Sequence, residues 1–286
     1  MFHGSIVAIV TPFKNGKVDE KAFGDLIDFH LNAGTDGIVP CGTTGESATL
    51  THEEHRQVIE MTIKMVGGRV PVIAGTGSNS TEEAITLTRH AKSAGAAGAL
   101  LITPYYNKPT QEGLYRHYKA IAEAVDLPQV LYNIPGRTGV NMLPATVARL
   151  MAFDNIVGIK EGSGSIQQIV ELIRRCGERL TVLSGDDGMT LPMMAVGGKG
   201  AISVTANIVP SDMVQMTAAA GRGDFAEAGK WDEKLYPLHR VLFLETNPIP
   251  VKAALSLMGR CGDEVRLPLC PLSDENLAKL KETMGA

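Results

Sequence analysis

The sequence predicts a closed (β/α)8 barrel with a helical region appended at its C-terminal side. Three observations carry this prediction. Short runs rich in Val and Ile recur roughly every 28 residues between Ser5 and Gly200, about the length of one strand–helix unit. These runs are continuously apolar, as expected when helices cover one face of a parallel sheet and packed side chains fill the other. The segments between them show helical spacing with start and stop signals.

Strands are expected to begin at Ser5 (SIVAIVTPF), Gly37 (GIVPCG), Pro71 (PVIAGTG), Gly98 (GALLITP), Pro128 (PQVLYNIP), Ile156 (IVGIKEG), Leu180 (LTVLSGD) and Gly200 (GAISVTANIV). Between the first two, Phe23, Leu26, Ile27 and Leu31 share one helical face. Ile166, Ile169, Val170 and Ile173 do so after the sixth. Thr51-His52-Glu53-Glu54 and Ser80-Thr81-Glu82-Glu83 each fit a capping box, in which the hydroxyl takes the third residue's N–H and the carboxylate reaches back. Gly34, Gly67 with Gly68, Gly95 and Gly177 stand where left-handed C-caps are due. The eighth helix is expected over roughly Pro210 to Gly221. Eight strands each followed by a helix, joined by right-handed crossovers, favour a closed TIM barrel over the alternative, an open doubly wound sheet.

Residues 1–221 therefore read as the catalytic barrel and 222–286 as a helical region packed on it, helping to form subunit contacts. In that region Phe225–Trp231, Pro250–Met258 and Asp274–Met284 are the helical candidates, broken by NPIP at Asn247–Pro250 and LPLCPL at Leu267–Leu272.

Composition excludes several function classes. The 286 residues are 44% hydrophobic, enough for a sizeable core, and the net charge of −4 supplies no global basic field for nucleic acid or anionic lipid. No stretch approaches the roughly 20 apolar residues of a membrane span. The opening MFHGSIVAIVTPFKNG lacks a basic n-region and a small-residue cleavage site. Cys41, Cys176, Cys261 and Cys270 form no CxxC pair and read as reduced thiols. A cytoplasmic globular protein is expected.

In such a barrel the site lies at the C-terminal ends of the strands. Lys160 is the sharpest feature there. Strand alternation puts Ile156, Gly158 and Lys160 on one face and Val157, Ile159 and Glu161 on the other, with Gly158 leaving room for the lysine to enter the barrel. At pH 7 an ordinary lysine is neutral only about 0.04% of the time. A dry barrel wall would lower its pKa and release an amine able to attack a ketone as a Schiff-base nucleophile. The competing reading is a structural Lys160 paired with Glu161 or a helix carboxylate.

Tyr132 is either a core tyrosine or a proton shuttle, with Thr44 and Tyr106 at strand ends able to supply a hydroxyl relay. Arg137 is a solvated loop residue or a fork for a carboxylate. Gly42-Thr43-Thr44-Gly45 is a plain turn or a nest for a small anion. His52-Glu53-Glu54-His55 is one residue short of the zinc helix, Gly162-Ser163-Gly164-Ser165 lacks the third glycine of a dinucleotide fingerprint, and Gly197-Gly198-Lys199-Gly200 lacks the Walker spacing. Asp186-Asp187 has no matching carboxylate cluster. Neither a metal nor another cofactor is indicated.

Gly42-Thr43-Thr44-Gly45-Glu46, Tyr132-Asn133-Ile134-Pro135-Gly136-Arg137-Thr138-Gly139 and Gly158-Ile159-Lys160-Glu161 together resemble the pyruvate-dependent class I aldolase and lyase family, over essentially the whole chain. Within it the resemblance is to the branch that condenses pyruvate with L-aspartate 4-semialdehyde. It implies a Lys160 imine with pyruvate, whose carboxylate is held by Thr43 and Thr44. The derived enamine attacks the semialdehyde, and cyclisation leads towards diaminopimelate and lysine. Tyr132 would shuttle protons through Thr44 to Tyr106, contributed by a neighbouring subunit of a homotetramer. Arg137 would take the semialdehyde's carboxylate, while Gly185 and the Ile202 carbonyl line the pyruvate pocket. An inhibitory L-lysine site is implied at Ser47, Ala48, His52, His55, Asn79, Glu83 and Tyr105, with Glu83 facing the α-ammonium and Asn79 and Tyr105 the carboxylate. A sister sugar-acid lyase of the N-acetylneuraminate lyase type remains open, with Arg137 as the discriminator. So does a catalytically silent keto-acid-binding barrel, which would need no imine-forming lysine.

Overall fold

A computed structural model describes residues 2–285. Eight parallel strands form the expected ring: β1 (Gly4–Ala8), β2 (Gly37–Val39), β3 (Ile73–Gly75), β4 (Gly98–Ile102), β5 (Gln129–Asn133), β6 (Ile156–Glu161), β7 (Thr181–Ser184) and β8 (Gly200–Ser203). Each begins within two residues of its expected position. Register runs Ile6 beside Ile202 across β1–β8, and Tyr132 beside Lys160 across β5–β6. The ring closes between β2 and β3, where the Ile38 N–H donates to the Pro71 carbonyl at 3.0 Å and the Gly75 N–H to the Pro40 carbonyl at 2.9 Å. The open-sheet alternative is thereby excluded.

The helices between strands are α1 (Glu20–Asn32), α2 (His52–Val66), α3 (Thr81–Ala94), α4 (Gln111–Ala124), α5 (Pro144–Leu150), α6 (Ile166–Cys176), α7 (Thr190–Ala195) and α8 (Pro210–Gly221). Thr51 caps α2 as expected: its hydroxyl accepts from the Glu54 N–H at 3.2 Å and the Glu54 carboxylate accepts from the Thr51 N–H at 2.9 Å. The second box is only half formed. Ser80 Oγ accepts from the Glu83 N–H, but the Ser80 N–H donates to Ser78 Oγ instead, and the Glu83 carboxylate turns to Ser78 Oγ and His52. A hydroxyl and an imidazole beyond the helix end outcompete the cap for that carboxylate. In α6 the buried face is Ile169, Leu172 and Cys176, spaced i, i+3, i+7, and Val170 is rotated to the outside, 44% exposed.

The C-terminal region adds α9 (Phe225–Val241), α10 (Ile249–Leu257) and α11 (Asp274–Met284). The helix expected to stop near Trp231 runs ten residues further, through Pro237, because Leu235, Leu238 and Val241 continue its inward face. Leu235, Leu242, Val251, Leu255 and Leu280 share one apolar cluster with Val7, Ile9, Phe23 and Ile38 of the barrel. No helix of the described residues is long and apolar enough to cross a membrane.

The barrel interior is filled by Phe2, Ile6, Val39, Ile73, Leu100, Val130, Tyr132, Leu183 and Ile202. Alternation on β6 departs from the simple pattern. Gln129 pairs with Ile156 but the next residue, Val130, pairs with Gly158, so Val157 is an extra residue. This bulge shifts the phase: Ile156 joins the outer layer and Val157 packs with the interior, whereas Gly158 and Lys160 keep their inward direction.

Candidate active site

Lys160 occupies the last inward position of β6 and is 5% exposed. The carboxylate next to it in sequence points to the opposite face. Glu161 accepts hydrogen bonds from Asn133 Nδ2 at 3.1 Å, Gln168 Nε2 at 3.1 Å and the Ser163 N–H at 2.7 Å. Glu161 is therefore no partner for the amine. The contact of Lys160 Nζ is the ring of Tyr132, 4.4 Å from its centroid on the neighbouring strand.

The space for the lysine comes from Gly185 rather than Gly158. A Cβ at Gly158 would meet the Thr181 carbonyl at 3.0 Å and Val130, whereas one at Gly185 would lie 3.2 Å from Lys160 Cε and 3.1 Å from the Glu161 carbonyl oxygen. The side chain leans towards β7 as it leaves β6. Gly185 also lines a cavity of about 850 Å³ between the strand ends and the C-terminal helices, with Gly162, Asp186, Tyr236, His239 and Arg240. Burial and the adjacent Asp187 raise the Asp186 carboxyl above the usual aspartate range. Ile202 packs inward on β8 in the same interior layer as Tyr132 and Leu183.

Thr43 and Thr44 sit in the turn after β2, bracketed by two non-glycine residues in left-handed conformation, Cys41 and Glu46, both at φ 55. Thr44 is buried, and its hydroxyl accepts from Asn247 Nδ2 at 3.0 Å. Asn247 also turns its carbonyl to Arg137, which donates from Nη2 at 3.1 Å. One residue of the C-terminal region thus ties Thr44 to Arg137. Sequence reading passed it over, since NPIP registers only as a helix break. A polar residue ahead of two proline positions was the available signal.

Tyr106 stands away from this group. It is 90% exposed with a left-handed backbone at φ 72, and within the chain its hydroxyl does not reach Thr44. Its loop is pinned behind it, where Asn79 Nδ2 donates to the Tyr105 carbonyl at 3.2 Å and Asn107 Nδ2 to the Asn79 carbonyl at 2.9 Å.

Ser47, Ala48, His52, His55, Glu83 and Tyr105 line one cavity of about 510 Å³, which Thr43 and Arg137 also line. Asn79 of the same expected set lies behind Tyr105, through the bond just described. His52 Nε2 is 3.2 Å from Glu83. His55 is buried, its Nε2 2.9 Å from the Gly75 carbonyl, and burial pulls its pKa down to about 4. No group of three or more metal-ligating side chains occurs among the described residues.

Comparison with known proteins matches residues 1–286 to the Dihydrodipicolinate synthetase family model. A 4-hydroxy-tetrahydrodipicolinate synthase of Citrifermentans bemidjiense is 61% identical over 284 residues, covering 99% of this chain and 98% of the relative. Among solved structures, the dihydrodipicolinate synthase of Acinetobacter baumannii complexed with pyruvate superposes with a TM-score of 0.98 at 51% identity, covering 100% of this chain and 98% of that one. The enzyme of Cyanidioschyzon merolae with lysine bound gives 0.96 at 41% identity, covering 99% and 97%.

Proposed function

The chain belongs to the dihydrodipicolinate synthetase family, and from that membership we propose that it is a 4-hydroxy-tetrahydrodipicolinate synthase, a lyase that condenses pyruvate with L-aspartate 4-semialdehyde. The observation that carries the reading is Lys160 itself, an inward, buried amine with an aromatic hydroxyl-bearing ring beside it and Glu161 turned to the other face.

Lys160 Nζ attacks the ketone of pyruvate, water leaves, and an imine forms. Loss of a methyl proton gives the enamine, whose carbon attacks the aldehyde of the second substrate. The amino group of that substrate then closes the ring on the imine carbon and frees Lys160. The protonated imine is its own electron sink, so the reaction calls on no separate cofactor. Thr43 and Thr44 hold the pyruvate carboxylate, and Gly185 and Ile202 bound its pocket. Tyr132 carries the protons, and Arg137 takes the carboxylate of the semialdehyde.

The exposure and left-handed backbone of Tyr106 support a role in trans, its hydroxyl completing a relay with Thr44 and Tyr132 of a second subunit. A homotetramer built as a dimer of dimers is the assembly we assign, with residues 222–286 as the helical region packed on the 1–221 barrel. The cavity shared by Ser47, His52, Glu83 and Tyr105 supports feedback inhibition by L-lysine, as does the lysine-bound state of the Cyanidioschyzon merolae relative. A cytoplasmic biosynthetic role in the diaminopimelate and lysine pathway accords with these assignments.

Borohydride reduction in the presence of pyruvate, with mass spectrometry of the Lys160 peptide, tests the nucleophile. A reduced pyruvyl adduct on Lys160 is expected, and none in Lys160→Ala. Adduct on another lysine would move the chemistry. A coupled assay with aspartate semialdehyde separates the synthase from a sugar-acid lyase. Isothermal titration with L-lysine at millimolar concentration tests the effector site, which a flat titration would remove.

A further inference from the structure

A buried polar centre lies beneath the turn that presents Thr43 and Thr44. Lys252, in α10, is fully buried, and its ammonium donates to Glu46 Oε1 at 2.5 Å and to the Glu264 carbonyl at 2.7 Å. It rests 4.2 Å from the centroid of the Phe13 ring. The second oxygen of Glu46 accepts the Arg266 N–H at 3.0 Å, and the Arg266 guanidinium reaches the Thr49 carbonyl at 2.9 Å and Glu54. Both carboxylate oxygens of Glu46 are thus held by a segment more than two hundred residues away in sequence.

Glu46 is itself left-handed, at φ 55 and ψ 38. A side chain other than glycine stays there only when its surroundings hold it. The rest of the turn is held by other bonds: Gly45 and Ser47 donate to the Gly42 carbonyl, Glu46 donates to that of Thr43, Thr49 donates from its N–H and Oγ1 to the Glu46 carbonyl, Thr11 Oγ1 donates to the Gly45 carbonyl, and Asn247 Nδ2 donates to Thr44 Oγ1. The Glu46 side chain is gripped by Lys252 and the Arg266 N–H. A buried ammonium–carboxylate pair is an inefficient source of stability, because desolvating both ions offsets their attraction. What it supplies is direction. Lys252 spans Glu46 Oε1 and the Glu264 carbonyl while Glu46 Oε2 takes the Arg266 N–H, and these three bonds are met together in one arrangement.

We propose that Lys252 is a positioning residue for the pyruvate site: by holding the Glu46 carboxylate it fixes the left-handed end of the turn, and with it the placement of Thr43 and Thr44. This rests on the reading that those two residues bind the pyruvate carboxylate. Lys252 lies in the C-terminal region, below the turn, and acts only through Glu46.

The test measures half-saturating pyruvate for borohydride trapping on Lys160, turnover with both substrates, and thermal unfolding. It is applied to the wild type, Lys252→Met and the double variant Lys252→Met/Glu46→Gln. The single variant leaves a buried carboxylate short of its partner and is expected to lose stability. Removing both charges restores much of that stability. Half-saturating pyruvate in the double variant is nevertheless expected to rise about tenfold, equivalent to ~1.4 kcal/mol, with the plateau of trapping and the turnover number within threefold of wild type. A wild-type half-saturation in the double variant overturns the proposal, as does a pyruvate affinity that recovers in step with thermal stability. Absence of trapping in the wild type would instead defeat the Lys160 assignment, so the two failures are distinguishable.

Discussion

Gly185→Ala isolates the placement of the Lys160 amine. Gly185 is not in the left-handed region, so alanine meets no backbone strain there and the effect is one of contact alone. The new methyl carbon would lie 3.2 Å from Lys160 Cε and 3.1 Å from the Glu161 carbonyl oxygen, against about 3.5–4.0 Å for relaxed carbon contacts. The carbonyl cannot yield easily, because it accepts the Gly185 N–H at 2.7 Å and belongs to the β6–β7 ladder. The lysine must therefore give way, by about half an ångström at Cε. A displacement of about 1 Å at a reacting group costs about a hundredfold in rate, so roughly tenfold is expected here, with ~1–3 kcal/mol of lost stability from overpacking. The assay is the rate of pyruvate trapping on Lys160 under borohydride, beside kcat/KM in the coupled reaction. Trapping and kcat/KM both within twofold of wild type would refute the contact argument and return the space-making role to Gly158.

Three further outcomes follow from other parts of the site. Tyr132→Phe is expected to slow turnover by roughly 10²–10⁴, the span of one acid–base group, while leaving the barrel folded; unchanged turnover would take the phenol out of the mechanism. Asn247→Ala removes the donor to Thr44 but keeps the backbone carbonyl that meets Arg137. It should lower kcat/KM for pyruvate about fivefold, the worth of one hydrogen bond, with little change in KM for the semialdehyde, and equal losses for both substrates would contradict it. Burial holds His55 and His117 down to about 4 and His30 to about 3. In the unfolded chain these groups titrate near 6.5, so the unfolded state gains protons first as pH falls. Their neutral burial has no pH-dependent cost above about 6.5, and stability drains away between there and about 4 for His55 and His117 and about 3 for His30. At pH 5 the loss is about 2 kcal/mol for each histidine. Denaturant titrations showing flat stability between pH 7.5 and 5 would contradict this.

Strand positions and most helix ends were legible in the chain because they depend on local patterns. Apolar runs mark strands, and Thr51 with Glu54 completes its capping box from residues three apart. The same local logic failed wherever a distant or unexpected partner competed. Glu83 left its cap for Ser78 and His52, and one inserted residue at Val157 reversed the expected side of Ile156. The inward direction of Lys160 survived because the bulge falls below it. The role of the C-terminal region went unseen as a contribution to the site, for Asn247 and Lys252 show no spacing relationship to Thr44 and Glu46.

The amino-acid order alone determined the number of barrel strands, the end of the barrel at which the candidate residues gather, and the side of β6 on which Lys160 stands, since periodicity and capping act over a few residues. Only the tertiary structure decided what surrounds Lys160. The space cut by Gly185, the Asn247 bridge between Thr44 and Arg137, and the buried pair under the Thr43–Thr44 turn arise from strands and helices that meet only when the ring closes, and hydrogen bonds and ion pairs depend on distances that no local pattern encodes.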